Sequence, residues 1–262
     1  MDTYAVVNQK GGVGKTTTAA TLATIWSKAG RRVLAVDMDP QGNLGLMLGV
    51  MYDPQRPTVY NVLTRQGERR EAREVVMHAA DGVDLLPATI QLGVLELEGG
   101  ADILTRLRMA LDDLRADYDV CVIDCPPSQG VFVQQALFAA DRVIIPANAD
   151  LCSAAGLAQL RMTIDMVKSP YMNPGLEVAG VVVTALNRRN TAEVAMVSDI
   201  EKAAARLGWR LFESVINYSE PIQTARNTMS TVVASSAGGR WASALGTRAY
   251  EALAREIGGE VA

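Results

Sequence analysis

The chain is poor in the residues that mark secreted, membrane-spanning or metal-cluster proteins. Of its 262 residues only three are cysteine, Cys121, Cys125 and Cys152, and an odd count argues against a disulfide framework. The start, Met1-Asp2-Thr3, lacks the basic and then apolar pattern of a secretion signal. No apolar run reaches the roughly 18 residues needed to span a bilayer. The single histidine, His78, has no carboxylate or cysteine at ligand spacing, so it reads as a helix-surface or core-edge residue. Aromatics are 5% of a chain that is 49% hydrophobic, which suits a Val, Leu, Ile and Ala core between a sheet and its helices. The net charge of −4 gives no overall attraction to nucleic acid. Residues 1–150 hold 14 Lys+Arg against 19 Asp+Glu and residues 151–262 hold 11 against 10, so the acidic excess lies wholly in the first part and the second part leaves room for a local basic face. Linkers, repeats and low-complexity segments are missing too, and residues 1–262 are expected to form one domain.

What the chain does have is a glycine-rich loop at its very start, Asn8-Gln9-Lys10-Gly11-Gly12-Val13-Gly14-Lys15-Thr16-Thr17. The spacing Gly-x-x-x-x-Gly-Lys-Thr of a phosphate loop is met at Gly14, Lys15 and Thr16, but Gln9 replaces the first glycine and Lys10 follows it. This is a deviant Walker A loop. An apolar, strand-like run, Tyr4 to Val7, precedes it and a helix-compatible run, Thr17 to Ala29, follows. Glycines at 11, 12 and 14 free the backbone N–H groups to turn around phosphate oxygens, and the helix N-terminus adds its positive end. Residues Gly11 to Thr17, Val13 included, are therefore the expected nucleotide-binding run. Within it Lys15 reaches the β- and γ-phosphates, Thr16 ligates Mg2+ and Thr17 donates to the α-phosphate.

Strand and helix patterns then alternate. Arg32 to Asp37 is a buried strand leading into the polar loop Asp37 to Asn43, which the open-sheet rule puts beside the phosphates. Thr58 to Thr64 and Glu71 to Ala79 read as short helices, Val83 to Leu86 as a strand and Ala101 to Ala116 as a helix of regular apolar period. Tyr118 to Asp124 is a strand closed by a carboxylate, the Walker B arrangement, where Asp124 would hold Mg2+ through water. Helices at Val131 to Ala140, Ala154 to Lys168, Ala192 to Leu207, Glu220 to Asn227 and Arg240 to Ile257 alternate with strands at Arg142 to Ile145, Glu177 to Leu186 and Leu211 to Ile216. Pro146 is expected to stop its strand. The alternation predicts an α/β fold, a doubly wound, mainly parallel sheet with helices on both faces.

Three segments together, Lys10-Gly-Gly-Val-Gly-Lys-Thr-Thr17, Asp37-Met-Asp-Pro-Gln-Gly-Asn43 and Asp124-Cys-Pro-Pro-Ser128, resemble the ParA/MinD family of deviant Walker P-loop ATPases, most closely its small ParA (Soj-like) partition members. Weaker likeness runs through Val83 to Pro87 and Val143 to Pro146 to the C-terminal helix. The resemblance implies a cytoplasmic, partner-stimulated ATPase with ATP and Mg2+ as nucleotide and metal, a homodimer that sandwiches two ATP molecules, and nonspecific DNA binding in the ATP state, hence nucleoid association. A ParB-like protein on a plasmid or chromosome cargo would stimulate hydrolysis. By the same resemblance Lys10 reaches the partner subunit's nucleotide, Lys15 acts in the site, Asp39 positions the attacking water, Asp37 lies near Mg2+ and Asn187 contacts adenine. Arg188, Arg189, Arg210, Arg226, Arg240 and Arg248 are candidates for DNA phosphates. Two departures stand out. Ile216-Asn217-Tyr218 replaces a frequent Ile-Pro-Arg, which removes the usual basic contact there, and Ala155 replaces a frequent acidic residue. The chain also begins at its first strand, without the N-terminal extension of larger members, so sequence-specific repression is not expected.

Three competing readings follow. A MinD-like membrane cycle would need a basic amphipathic C-terminal helix, and the tail Ala254 to Ala262 is short and acidic. A nitrogenase iron-protein type of reductase would need cysteines placed to share a cluster between subunits, and Cys121 reads as strand interior. A third reading keeps the switch but changes the cargo to a protein body such as a carboxysome or chemoreceptor array.

Overall fold

The structure, a computed structural model, describes residues 1–51, 53–100, 102–218, 231 and 241–258, with backbone alone at 241–245. In chain order the first half comprises β1 (Asp2–Val6), α1 (Lys15–Lys28), β2 (Val33–Asp37), α2 (Asn43–Met47), α3 (Val59–Leu63), α4 (Ala72–Val75), β3 (Met77–His78), β4 (Val83–Leu86), α5 (Leu95–Glu98) and α6 (Arg106–Asp112). The second comprises β5 (Val120–Asp124), α7 (Val131–Ala139), β6 (Arg142–Asn148), α8 (Ser153–Val167), β7 (Glu177–Leu186), α9 (Thr191–Arg206), β8 (Leu211–Asn217) and α10 (Trp241–Ile257). The strands join in the order β3-β4-β2-β5-β1-β6-β7-β8, and every pairing is parallel except β3 with β4.

The apolar runs in β2 and β5 are buried at every position, as central strands covered on both faces require. Their side chains alternate between two cores. Val33, Ala35, Val120 and Val122 pack with α1, α2 and α10, whereas Leu34, Val36, Cys121 and Ile123 pack with the layer of α3 to α9. Helix α1 is enclosed almost all round, which its small Thr and Ala residues permit. Trp26 stacks on Tyr4 of β1 with ring centroids 5.2 Å apart, fixing the helix to the sheet beneath it. Because β1 lies between β5 and β6, its carboxyl end is a switch point of the topology, and the glycine loop leaves the sheet there.

Three elements differ from the sequence expectation. Strand β6 continues through Pro146 to Asn148. Ile144 offers its carbonyl to Val7 of the β1 side, and Pro146, two residues on and so turned the same way, points its missing N–H where β1 has already ended. The segment expected as one helix over 71–79 is a single turn, α4, followed by the antiparallel edge strand β3, where His78 pairs with Asp84. The helix expected over 101–116 is confined to Arg106–Asp112. Its N-terminal part is replaced by turns that the buried Arg106 organises, bonded to Glu98, Asp102 and the Leu63 carbonyl. The helix expected over 220–227 lies outside the described residues.

Candidate functional site

Gly12 and Gly14 adopt φ of 77° and 85°, the left-handed region that disfavours other residues, and Gly14 is the N-cap of α1. No side chain caps that helix, so its first N–H groups have no side-chain acceptor. A Cβ built on Gly11, Gly12 or Gly14 meets no atom within 4 Å. The space is a cavity of about 520 Å3 lined by Gly11, Gly12, Gly14, Lys15, Thr16 and Thr17 on one side and by Asp39, Gln41, Asn43, Met47 and Pro127 on the other. Val13 stands behind it, buried, its carbonyl accepting a 2.8 Å hydrogen bond from Thr184 of β7. Gln41 and Asn43 belong to the loop expected beside the phosphates, and Met47 and Pro127 are additions to the expected lining. The signal for them was positional, since the loops after β2 and β5 both leave carboxyl ends of strands.

Asp37 and Asp124 close β2 and β5 as register partners, and both are fully buried. Asp37 accepts from the Asp39 and Leu44 amides at 3.0 and 3.1 Å, so its oxygens shape the turn. Burial, with Asp124 alongside, holds its carboxyl well above the usual range. Neither oxygen of Asp124 has a hydrogen bond of ordinary geometry. Burial pushes this carboxyl up to about 7, although the facing Thr16 hydroxyl and the Lys15 ammonium pull the other way. Lys15 is itself lowered by burial, against the pull of Asp124 and Asp39. A buried carboxylate with two orphaned oxygens beside a threonine hydroxyl suits a hard, oxygen-seeking cation. Among the described residues no group of three His, Cys, Asp or Glu side chains could hold a metal unaided, so water and phosphate oxygens must complete such a site. Asp39 lines the cavity with one oxygen accepting from the Gln41 amide at 3.0 Å. The turn behind it needs Gly42, whose φ is 67° and whose Cβ would come within 2.9 Å of the Ala88 carbonyl oxygen.

Lys10 lies outside this lining. Its ammonium pairs with Asp150, in the turn between β6 and α8, and its carbonyl accepts from Lys15 Nζ at 2.9 Å. Asn187 also lies outside. It is exposed at the end of β7, its side-chain oxygen accepting from the Arg189 amide at 3.1 Å. A bulge precedes it, with Ala185 at φ 53° where the pairing of β7 with β8 slips. Arg188 and Arg189 are exposed together beyond that bulge, and Arg188 Nε donates to Asn217 at 2.8 Å. Arg210 is engaged elsewhere: it lies 4.5 Å over the Phe212 ring and donates to the Glu256 carbonyl at 2.8 Å, binding α10 to β8. Arg248 is exposed on α10, and Arg226 and Arg240 lie outside the described residues. Cys121 and Cys125 are fully buried thiols raised by that burial, so a second subunit has no access to them for a shared cluster.

Residues 1–178 match a family described as AAA domain. The chain is 38% identical over 257 residues to the chromosome partitioning protein ParA of Caulobacter vibrioides, covering 97% of this chain and 92% of that protein. It is 36% identical over 200 residues to the sporulation initiation inhibitor protein Soj of Bacillus subtilis, covering 76% and 78%. Among solved structures it is similar to cobyrinic acid a,c-diamide synthase from Mycobacterium smegmatis with bound ATP analog and magnesium, at 32% identity and a TM-score of 0.81 over 97% of this chain and 93% of that one.

Proposed function

The chain belongs to the ParA/Soj-like family of P-loop ATPases, and on that premise we propose that it is a partition ATPase that dimerises on ATP, binds nonspecific DNA in that state and positions plasmid or chromosome cargo. The observation that carries the reading is the open glycine cradle at the head of α1, faced across one cavity by Asp39 and backed by the orphaned Asp124 carboxylate. The N–H groups of residues 11–17 and Lys15 hold the ATP phosphates. Thr16 and, through water, Asp124 hold Mg2+, while Asp37 fixes the turn beside them. When bound, that ion neutralises charge on the phosphates. Asp39 orients the attacking water, and Lys10 extends to the nucleotide of a second subunit, so each site is complete only in the dimer. Asn187 meets the adenine. Arg188 and Arg189 contact DNA phosphates, and a ParB-like partner accelerates hydrolysis.

The protein acts in the cytoplasm, associated with the nucleoid when ATP is bound. Among the described residues no helix is long and apolar enough to cross a bilayer. The reading is tested by DNA retardation with ATP, with ADP and without nucleotide. A shift with ATP alone, weakening steeply with salt, is expected; a shift independent of nucleotide contradicts the switch.

A further inference from the structure

The ion pair between Lys10 and Asp150 joins the glycine loop to the start of α8 across 140 residues of sequence. Its two halves are held differently. The backbone of Lys10 is fixed at both ends, its amide donating to Asn8 Oδ1 at 3.0 Å and its carbonyl accepting from Lys15 Nζ at 2.9 Å. Asn8 in turn donates to the Pro146 carbonyl at 2.7 Å. Asp150 is anchored independently of the lysine: Oδ1 accepts from the Cys152 amide at 3.1 Å and lies 3.1 Å from the Ser153 hydroxyl, which is also 2.6 Å from the Asn148 carbonyl. The carboxylate stands at the N-terminus of the 15-residue helix α8, whose positive end favours an anion there. If Lys10 leaves, Asp150 therefore keeps partners, and release costs little. With side chains 41% and 34% exposed, the pair is also weak enough to be broken.

We propose that Asp150 is a positioning residue that holds Lys10 against its own chain, so that Lys10 must leave this pair before it reaches a second subunit. This inference rests on the trans role of Lys10 proposed above.

Both chains of a dimer must release their lysine. An exposed pair of this kind holds its state by roughly two- to fivefold, so removing both latches shifts the dimerisation constant by roughly the square, about four- to 25-fold. The test is sedimentation equilibrium of wild type, Asp150→Asn and Lys10→Ala with ADP and with a non-hydrolysable ATP analogue. Asparagine keeps the Oδ1 acceptor for the Cys152 amide and replaces the oxygen that pairs with Lys10 by an uncharged NH2 donor. Asp150→Asn is expected to dimerise at lower protein concentration with either nucleotide, with unchanged nucleotide affinity, and Asp150→Glu to restore wild-type behaviour. Unchanged or weakened dimerisation of Asp150→Asn overturns the latch if Lys10→Ala stays monomeric. If Lys10→Ala dimerises like wild type, the trans role itself has failed. A second reading comes from the rate at which acetic anhydride acylates Lys10 in nucleotide-free protein, followed by mass spectrometry. It rises in Asp150→Asn if the pair holds the amine, and an unchanged rate overturns the proposal.

Discussion

Asp37 and Asp124 stand side by side as register partners on adjacent parallel strands, equally buried, yet only Asp37 has its oxygens bonded. Two chemically identical groups thus have different work. Asp37 folds the turn that carries Asp39, and Asp124 is left with unmet acceptor capacity that a cation would satisfy.

That difference sets a pH dependence. The Asp124 carboxyl is pushed up to about 7 in the folded chain, above its value in the unfolded chain. A carboxyl raised in this way contributes stability that is fully present below its unfolded pKa and lost as pH rises through the folded one. Without nucleotide or metal, the melting temperature of wild type relative to Asp124→Asn should therefore fall between pH 5 and pH 8. Mg2+ with ATP should reverse the trend, since the bound cation favours the ionised form. Scanning calorimetry across that range checks both, and a difference between the two proteins that does not change with pH contradicts the buried, unpartnered state of Asp124.

Two glycines near the cavity should fail in opposite ways. Gly11 has open space where a side chain would go and its φ lies outside the left-handed region, so Gly11→Ala should leave the melting temperature unchanged and weaken ATP binding at least tenfold. Gly42→Ala places a methyl against the Ala88 carbonyl in a left-handed conformation, a strain of about 1–3 kcal/mol that should lower stability and hydrolysis together. Isothermal titration and thermal melts separate the two. If Gly11→Ala binds ATP normally, the cradle is misplaced.

The arginines divide as well. Arg188→Ala and Arg189→Ala should each weaken ATP-dependent DNA binding and reduce the salt slope by about one, without loss of stability. Arg210→Ala should instead lower the melting temperature by freeing α10 from β8, because its guanidinium is stacked on Phe212 and bonded to Glu256. Filter binding across a salt series, beside thermal melts, tells a DNA contact from a structural tie. Equal salt slopes for the Arg189→Ala variant and wild type would remove that residue from the DNA face.

Much of this arrangement is legible in the sequence, for a physical reason. The glycine loop, the carboxylate at the end of β2 and that at the end of β5 are local patterns, and the doubly wound topology gathers strand ends at one edge wherever the helices between them happen to stop. Asp150 and Thr184 were not readable, since nothing near them in sequence shows that one meets Lys10 and the other the Val13 carbonyl. The sequence does not show that β6 runs through Pro146, because the cost of a proline depends on whether a neighbouring strand still needs the missing N–H, which is a tertiary fact. Residues 71–79 are ambiguous in sequence because an apolar run that short fits a helix or a strand equally well, and only the pairing of Met77 and His78 with β4 decides it.

In the proposed switch ATP is a dimer contact reached by Lys10. Light scattering of the 28.0 kDa chain in an Asp39→Ala background, with and without Lys10→Ala, measures it directly in Mg2+ and ATP. A doubled mass is expected for Asp39→Ala alone and a monomeric, ATP-bound chain once Lys10 is also replaced; a doubled mass in both would contradict the trans role of Lys10.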